Sequence, residues 1–347
     1  MNTDPTDPQA PRAGAPASPR GGEESAWASF EADLNRVAAS GLSAPAVPAT
    51  VLLTGESGSG KSRAARRLHD RSPRAEGPFI AVQLAALSST LIEAELFGHE
   101  AGAFTGASGA RLGRFELATG GTLVLEGVET LALDLQVKLL RVLQERVVEP
   151  LGSESGRQVD VRVIATSARD LRDAVEEGAF REDLYFRLAV VPLSVPPLRA
   201  RAWEDSFEEL CGDLAGDVAA RLGVPTRRLS KGGVDALRAH PWPGNFRELE
   251  NALERALVLG GAALPPQAPL DGVHFDFLHE TIRGRASELA RQALASGVGL
   301  DELDAAVLAE ALEESRGNVA AAARRVGLSR RAFAYRQKRA AEPEGQG

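Results

Sequence analysis

At 347 residues with 44% hydrophobic content, the chain is long enough for two or three domains with buried cores. A net charge of −8 argues against general adhesion to nucleic acid, and a single cysteine, Cys211, excludes an internal disulfide framework. No basic start precedes an apolar core and no apolar run reaches the length of a membrane span, so a cytoplasmic protein without a membrane partner is expected.

Residues 1–25 are rich in Pro, Ala and Gly, have almost nothing to bury, and read as a disordered tail too small for a sensory domain. Over residues 26–197, β-rich runs alternate with helical patterns: TVLLTG at 50–55, FIAVQL at 79–84, TLVLEG at 122–127, DVRVIATS at 160–167 and AVVPLSV at 189–195. That alternation predicts an α/β fold, a parallel sheet covered by helices on both faces. Residues 198–262 are patterned as helices, with WPGN at 242–245 as a turn and helix start. Residues 263–300, entered through GAALPPQAPLDG, read as a linker containing a looser helical stretch. Residues 301–341 form a small all-α segment, with Leu303, Val307, Leu308, Ala311 and Leu312 on one helical face. Within it, from Arg316 to Arg339, every charged residue is basic, which points to a dedicated nucleic-acid module on an acidic body.

GESGSGKS at 55–62 follows a strand and opens a helix, the context in which G-x-x-x-x-G-K-[ST] cradles phosphate. Gly55, Gly58 and Gly60 let the loop, with Glu56, Ser57 and Ser59, turn its N–H groups inward, and the helix presents its positive end. Lys61 is placed to reach the β- and γ-phosphates and Ser62 to hold Mg²⁺. The only other lysines are Lys138, Lys231 and Lys338, so a lysine here is unlike a casual surface charge. The loop predicts ATP or GTP.

ELFGHEAGAFTGA at 95–107 resembles the AAA+ domain of the bacterial enhancer-binding proteins, the activators of sigma-54 RNA polymerase. Gly102, Ala103, Phe104, Thr105, Gly106 and Ala107 are similar, without a change, to the loop with which that family contacts sigma-54. The resemblance runs from about Phe30 to Leu259. FREDLYFRL at 180–188 is similar to the segment bearing the family's two arginine fingers, which implies that Arg181 and Arg187 grip the nucleotide of a neighbouring subunit. WPGNFRELEN at 242–251 is similar to the second sensor and implies that Arg247 faces the nucleotide of its own subunit. A P-loop AAA+ fold with a helical lid follows, binding ATP and Mg²⁺ in a homo-oligomeric, hexameric ring. The C-terminal segment resembles the family's Fis-type helix-turn-helix. Asn318 caps one helix and Ser329 a second, in which Arg330, Arg331, Tyr335, Arg336 and Lys338, with Phe333 interleaved, are offered to double-stranded DNA at an enhancer-like site.

The sequence departs from the family at the end of the strand in GTLVLEGVET, residues 121–130. The family's acidic pair becomes Glu126, which can still support Mg²⁺ with a longer reach, and Gly127, which has no side chain to polarise the attacking water. Sliding the alignment by one would turn the strand's faces over and bring Leu125 to the metal. Glu129 replaces the lost base only if it comes within hydrogen-bond reach of the water. Ser167-Ala168 stands for the sensor Thr-Asn, and Gln83 for the asparagine that restrains the catalytic glutamate. Losing a general base typically costs about 10²–10⁴ in rate, so weak hydrolysis is expected. Two functions follow: an ATP-driven remodeller of sigma-54 promoter complexes, or a nucleotide-gated DNA-binding repressor or modulator with little turnover.

Overall fold

A computed structural model of the chain describes residues 26–40, 49–86, 89–103, 109–153, 155–201, 204, 206–260, 265, 268–315, 317–326 and 328–341. The tail expected at 1–25 and Phe104 to Ala107 of the segment expected to contact sigma-54 lie outside the described residues. Among the described residues the chain forms two compact units, one within 22–229 and 241–270, the other within 230–240 and 271–347.

The first unit is an α/β fold. Its sheet has five parallel strands, β1 (Val51–Thr54), β2 (Phe79–Gln83), β3 (Thr122–Glu126), β4 (Arg162–Ser167) and β5 (Val191–Ser194), in the order β2-β3-β4-β1-β5. Each lies inside the run predicted for it. The central strands read as continuous apolar runs because both faces are covered. Side chains alternate across the sheet, so Leu123, Leu125, Val163 and Ala165 join one core cluster with Leu135, Leu139 and Phe115, while Val124 and Ile164 are buried on the other face. Each fully buried leucine contributes about 1.5–3 kcal/mol, which fixes the register and holds the carboxyl ends of β1, β3 and β4 side by side. Ligands bind at such strand ends in open α/β sheets.

The helix Lys61–Asp70 buries Ala64, Ala65, Leu68 and His69 on one stripe, at the spacing an amphipathic helix requires. Its N-terminus starts directly at the end of the phosphate loop. In the same unit, helices Phe207–Leu222 and Asn245–Arg255 pack together, the first through Cys211, Leu214 and Val218, the second through Leu249 and Leu253. A two-stranded antiparallel hairpin, Gly98–His99 with Arg111–Leu112, flanks the segment that holds Gly102 and Ala103.

In the second unit, helix Lys231–Ala239, inside the stretch patterned as a lid, packs on the Gly272–Phe275 turn. The stretch read as a linker holds a 20-residue helix, Asp276–Ala295. Three further helices follow, Leu300–Glu314, Val319–Arg325 and Arg330–Ala341, closed around Leu308, Ala311, Ala322, Ala323 and Phe333.

Candidate functional site

The loop after β1 has left-handed backbone at Gly55 (φ 146°), Gly58 (φ 74°) and Gly60 (φ 97°), a conformation that side chains resist. A Cβ on Gly58 would fall 2.4 Å from the Gly244 carbonyl oxygen, and one on Gly55 2.6 Å from that of Val195. Both positions are closed to any larger residue. The loop is clasped from the outside: the Phe246 N–H donates to Gly58 O at 2.9 Å, the Asn245 amide donates to Glu56 Oε2 at 3.0 Å and to Ser57 O at 3.1 Å, and Arg247 donates to Ser57 Oγ at 3.3 Å. Both terminal nitrogens of Arg199 donate to the Glu56 carboxylate, at 2.9 and 2.5 Å.

Inside the loop, Lys61 Nζ donates to the carbonyl oxygens of Gly55 (2.7 Å) and Glu56 (2.9 Å). Burial lowers the pKa of this ammonium, and the nearby carboxylates of Glu129 and then Glu126 oppose that shift. Ser62 Oγ donates to Glu126 Oε1 at 2.5 Å, joining the start of the helix to the end of β3. A hydroxyl beside a carboxylate is a hard-oxygen pair suited to Mg²⁺. The Ser59 hydroxyl is buried without a hydrogen-bond partner among the described residues. An orphaned donor in a glycine cradle, beside a desolvated ammonium, fits a phosphate chain. The cavity above these groups measures about 460 Å³ and is lined by Lys61, Ser62, Gln83, Glu126, Gly127, Glu129, Ala168 and Arg247 among others.

Three family models match the chain in succession: the sigma-54 interaction domain over residues 28–194, the AAA+ ATPase lid domain over 201–270, and the bacterial regulatory protein, Fis family, over 299–339. The chain belongs to the sigma-54-dependent transcriptional activators. It is 46% identical over 292 residues to the nitric oxide reductase transcription regulator NorR2 of Cupriavidus necator, covering 80% of this chain and 56% of the relative. It is 52% identical over 216 residues to the C4-dicarboxylate transport transcriptional regulatory protein DctD of Pseudomonas aeruginosa, covering 62% of this chain and 46% of that one. The chain thus spans about half the length of these curated relatives. The crystal structure of NtrX from Brucella abortus in complex with ADP superposes with a TM-score of 0.65 at 30% identity, over 91% of this chain and 68% of that one.

The two arginines of the FREDLYFRL segment, both among the described residues, are absent from the cavity lining. Arg181 is exposed and bidentate on Asp183 (3.0 and 2.7 Å), whereas Arg187 donates to the Leu143 carbonyl oxygen at 2.6 Å. The sensor position offers no side chain either: Ser167 Oγ donates to Arg169 O at 2.7 Å, and Ala168 contributes a backbone N–H to Glu129 Oε1 at 2.9 Å. Gln83 lies beside Glu126 in the β2–β3 ladder. Gly102 is left-handed (φ 81°), and the Ala103 N–H donates to Glu100 O at 3.2 Å. Arg157 ties that hairpin base down through Glu100 and Glu116, at 2.7 and 2.9 Å.

At the C-terminal helices, Asn318 Oδ1 accepts the N–H groups of Ala320 and Ala321, both at 3.1 Å, and Ser329 Oγ accepts that of Ala332 at 3.2 Å, so both residues cap helices. Arg330, Arg331, Tyr335, Arg336 and Lys338 are all exposed. Phe333 is not part of that surface. Its ring is fully buried among Leu308, Ala322 and Ala323, because three short helices need one large side chain to fill the space between them. Arg336 is already paired with Asp304 at 2.8 Å and Arg339 with Asp301 at 3.4 Å.

Sequence patterns carry no sign of Asn245 or Arg199, whose phosphate-loop partners lie more than a hundred residues away. The one available signal was the N in WPGN, which reads only as a turn.

Proposed function

We propose that the protein is an ATP-driven activator of sigma-54 RNA polymerase in the cytoplasm. It binds an enhancer-like site in double-stranded DNA through Arg330, Arg331, Tyr335, Arg336 and Lys338, and it assembles as a homo-oligomeric ring, a hexamer. Residues Gly102 to Ala107 press on the sigma-54 promoter complex as ATP is bound and turned over.

The division of arginines around the cavity carries this reading: Arg247 lines it, while Arg181 and Arg187 lie outside it. A site that holds phosphates but lacks its own transition-state cations is completed by a neighbouring copy, and Arg181 and Arg187 are the groups such a copy presents. Within one subunit, Lys61 exchanges the Gly55 and Glu56 carbonyls for phosphate oxygens. Ser62 and Glu126 would hold Mg²⁺, which would supply positive charge to offset that of the phosphates. Arg247 sits against Ser57 on the loop, so a shift of the Asn245–Arg255 helix is felt at the nucleotide. Among the described residues no helix is long and apolar enough to cross a membrane.

The test is nucleotide-dependent association with purified sigma-54. Phe104→Ala is expected to bind ATP as the wild type does and to lose that association, whereas Lys61→Ala loses both. Association that survives Phe104→Ala overturns the loop assignment.

A further inference from the structure

The open question at this site is which group activates water, since the strand end carries no carboxylate at 127. Gly127 has φ 78° and ψ 47°, and a Cβ there would meet nothing within 4 Å. Its N–H donates to Thr166 O at 3.0 Å, and its carbonyl oxygen accepts the N–H and the hydroxyl of Thr130, at 3.0 and 2.8 Å. These bonds wind Val128–Thr130 into a single tight turn. Val128 is fully buried in the core, so the turn is pinned from below. The next residue, Glu129, comes out on the cavity side.

Glu129 Oε1 accepts the Ala168 N–H at 2.9 Å, just beyond the end of β4. In the sheet, β4 lies between β3 and β1, the strand that feeds the phosphate loop. The other oxygen, Oε2, is buried and has no hydrogen-bond partner among the described residues. Glu129 lines the same cavity as Lys61, Ser62 and Glu126. A carboxylate anchored through one oxygen, with the other unengaged beside a phosphate loop, is preorganised to take a proton. The Ala168 backbone thereby gains a partner at the position where the family's sensor amide is missing.

We infer that Glu129 is the general base of ATP hydrolysis in this chain, in place of the residue absent at 127. As the water oxygen bonds to the γ-phosphorus, the bond from that phosphorus to the β–γ bridging oxygen breaks, and the bridging oxygen leaves with the electron pair on ADP. The water proton passes to Glu129 Oε2, and inorganic phosphate is the second product. This rests on the ATP site proposed above.

Glu129→Gln in the full chain tests it, because glutamine keeps the shape and the acceptor for the Ala168 N–H while losing the charge. A fluorescent ATP analogue measures binding, and phosphate release is followed across pH. Binding is expected to stay within about threefold while phosphate release falls about 10²–10⁴-fold. Glu129→Asp should retain part of the rate. Unchanged turnover in Glu129→Gln overturns the assignment, as does a parallel loss of binding and turnover. Wild type that binds ATP but releases no phosphate overturns it too and leaves the nucleotide site standing. Wild type that binds no ATP removes the functional reading as well.

Discussion

Asn245 and Glu56 meet at the phosphate loop across 189 residues of sequence, through a 3.0 Å hydrogen bond from the Asn245 amide nitrogen. The amide oxygen of the same side chain accepts the Leu198 N–H at 2.8 Å. One fully buried asparagine therefore fixes the loop and the start of the Leu198–Arg201 helix together.

Asn245→Ala leaves the buried Leu198 N–H without a partner, at about 1–3 kcal/mol. It also places a Cβ-bearing residue without a local polar group at φ 53°, which adds about 1 kcal/mol. Asn245→Gly suffers only the first loss. Thermal unfolding is expected to rank wild type above Gly above Ala, with ATP affinity reduced in both variants. Equal melting temperatures for the two variants would remove the backbone contribution.

Arg336 cannot serve DNA at full strength while it holds Asp304 at 2.8 Å. Asp304→Ala frees that guanidinium and deletes a negative charge next to the basic helix. Non-specific duplex affinity should rise, and the slope of log K against log salt should steepen by about 1. An unchanged slope shows that Arg336 makes no phosphate contact.

His69 is buried, with Nδ1 2.9 Å from the Thr122 hydroxyl and its ring against Phe79. Burial, outweighing the opposing charge of Asp70, lowers its pKa from the ordinary 6.5. The unfolded chain then binds the proton more readily than the folded one, so stability is complete above the unfolded value and is lost as pH falls through 6.5 toward the folded value. Melting temperatures of wild type should decline from about pH 6.5 downward, and His69→Gln should flatten that decline.

The five strands were legible because each is a short run rich in apolar residues between turn signals, and in the three inner strands burial on both faces leaves no polar alternation to confuse the reading. The phosphate loop was legible because its glycines are demanded by local backbone geometry. Phe333 was not: in a helix crowded with arginines, an aromatic looks like a DNA-facing residue until the two helices packed on it are placed. Glu129 depended on the left-handed turn at Gly127, which sets where the next two side chains go and leaves no mark in composition or period. Asn245 acts wholly through partners distant in sequence, which no local window contains.

The winding at Gly127 also ties two positions together. Any side chain at φ 78° carries left-handed strain, so glutamate placed there alone starts from a handicap and shares one tight turn with the carboxylate two positions on. A change at 127 that relieves the strain by unwinding the turn is therefore felt at 129.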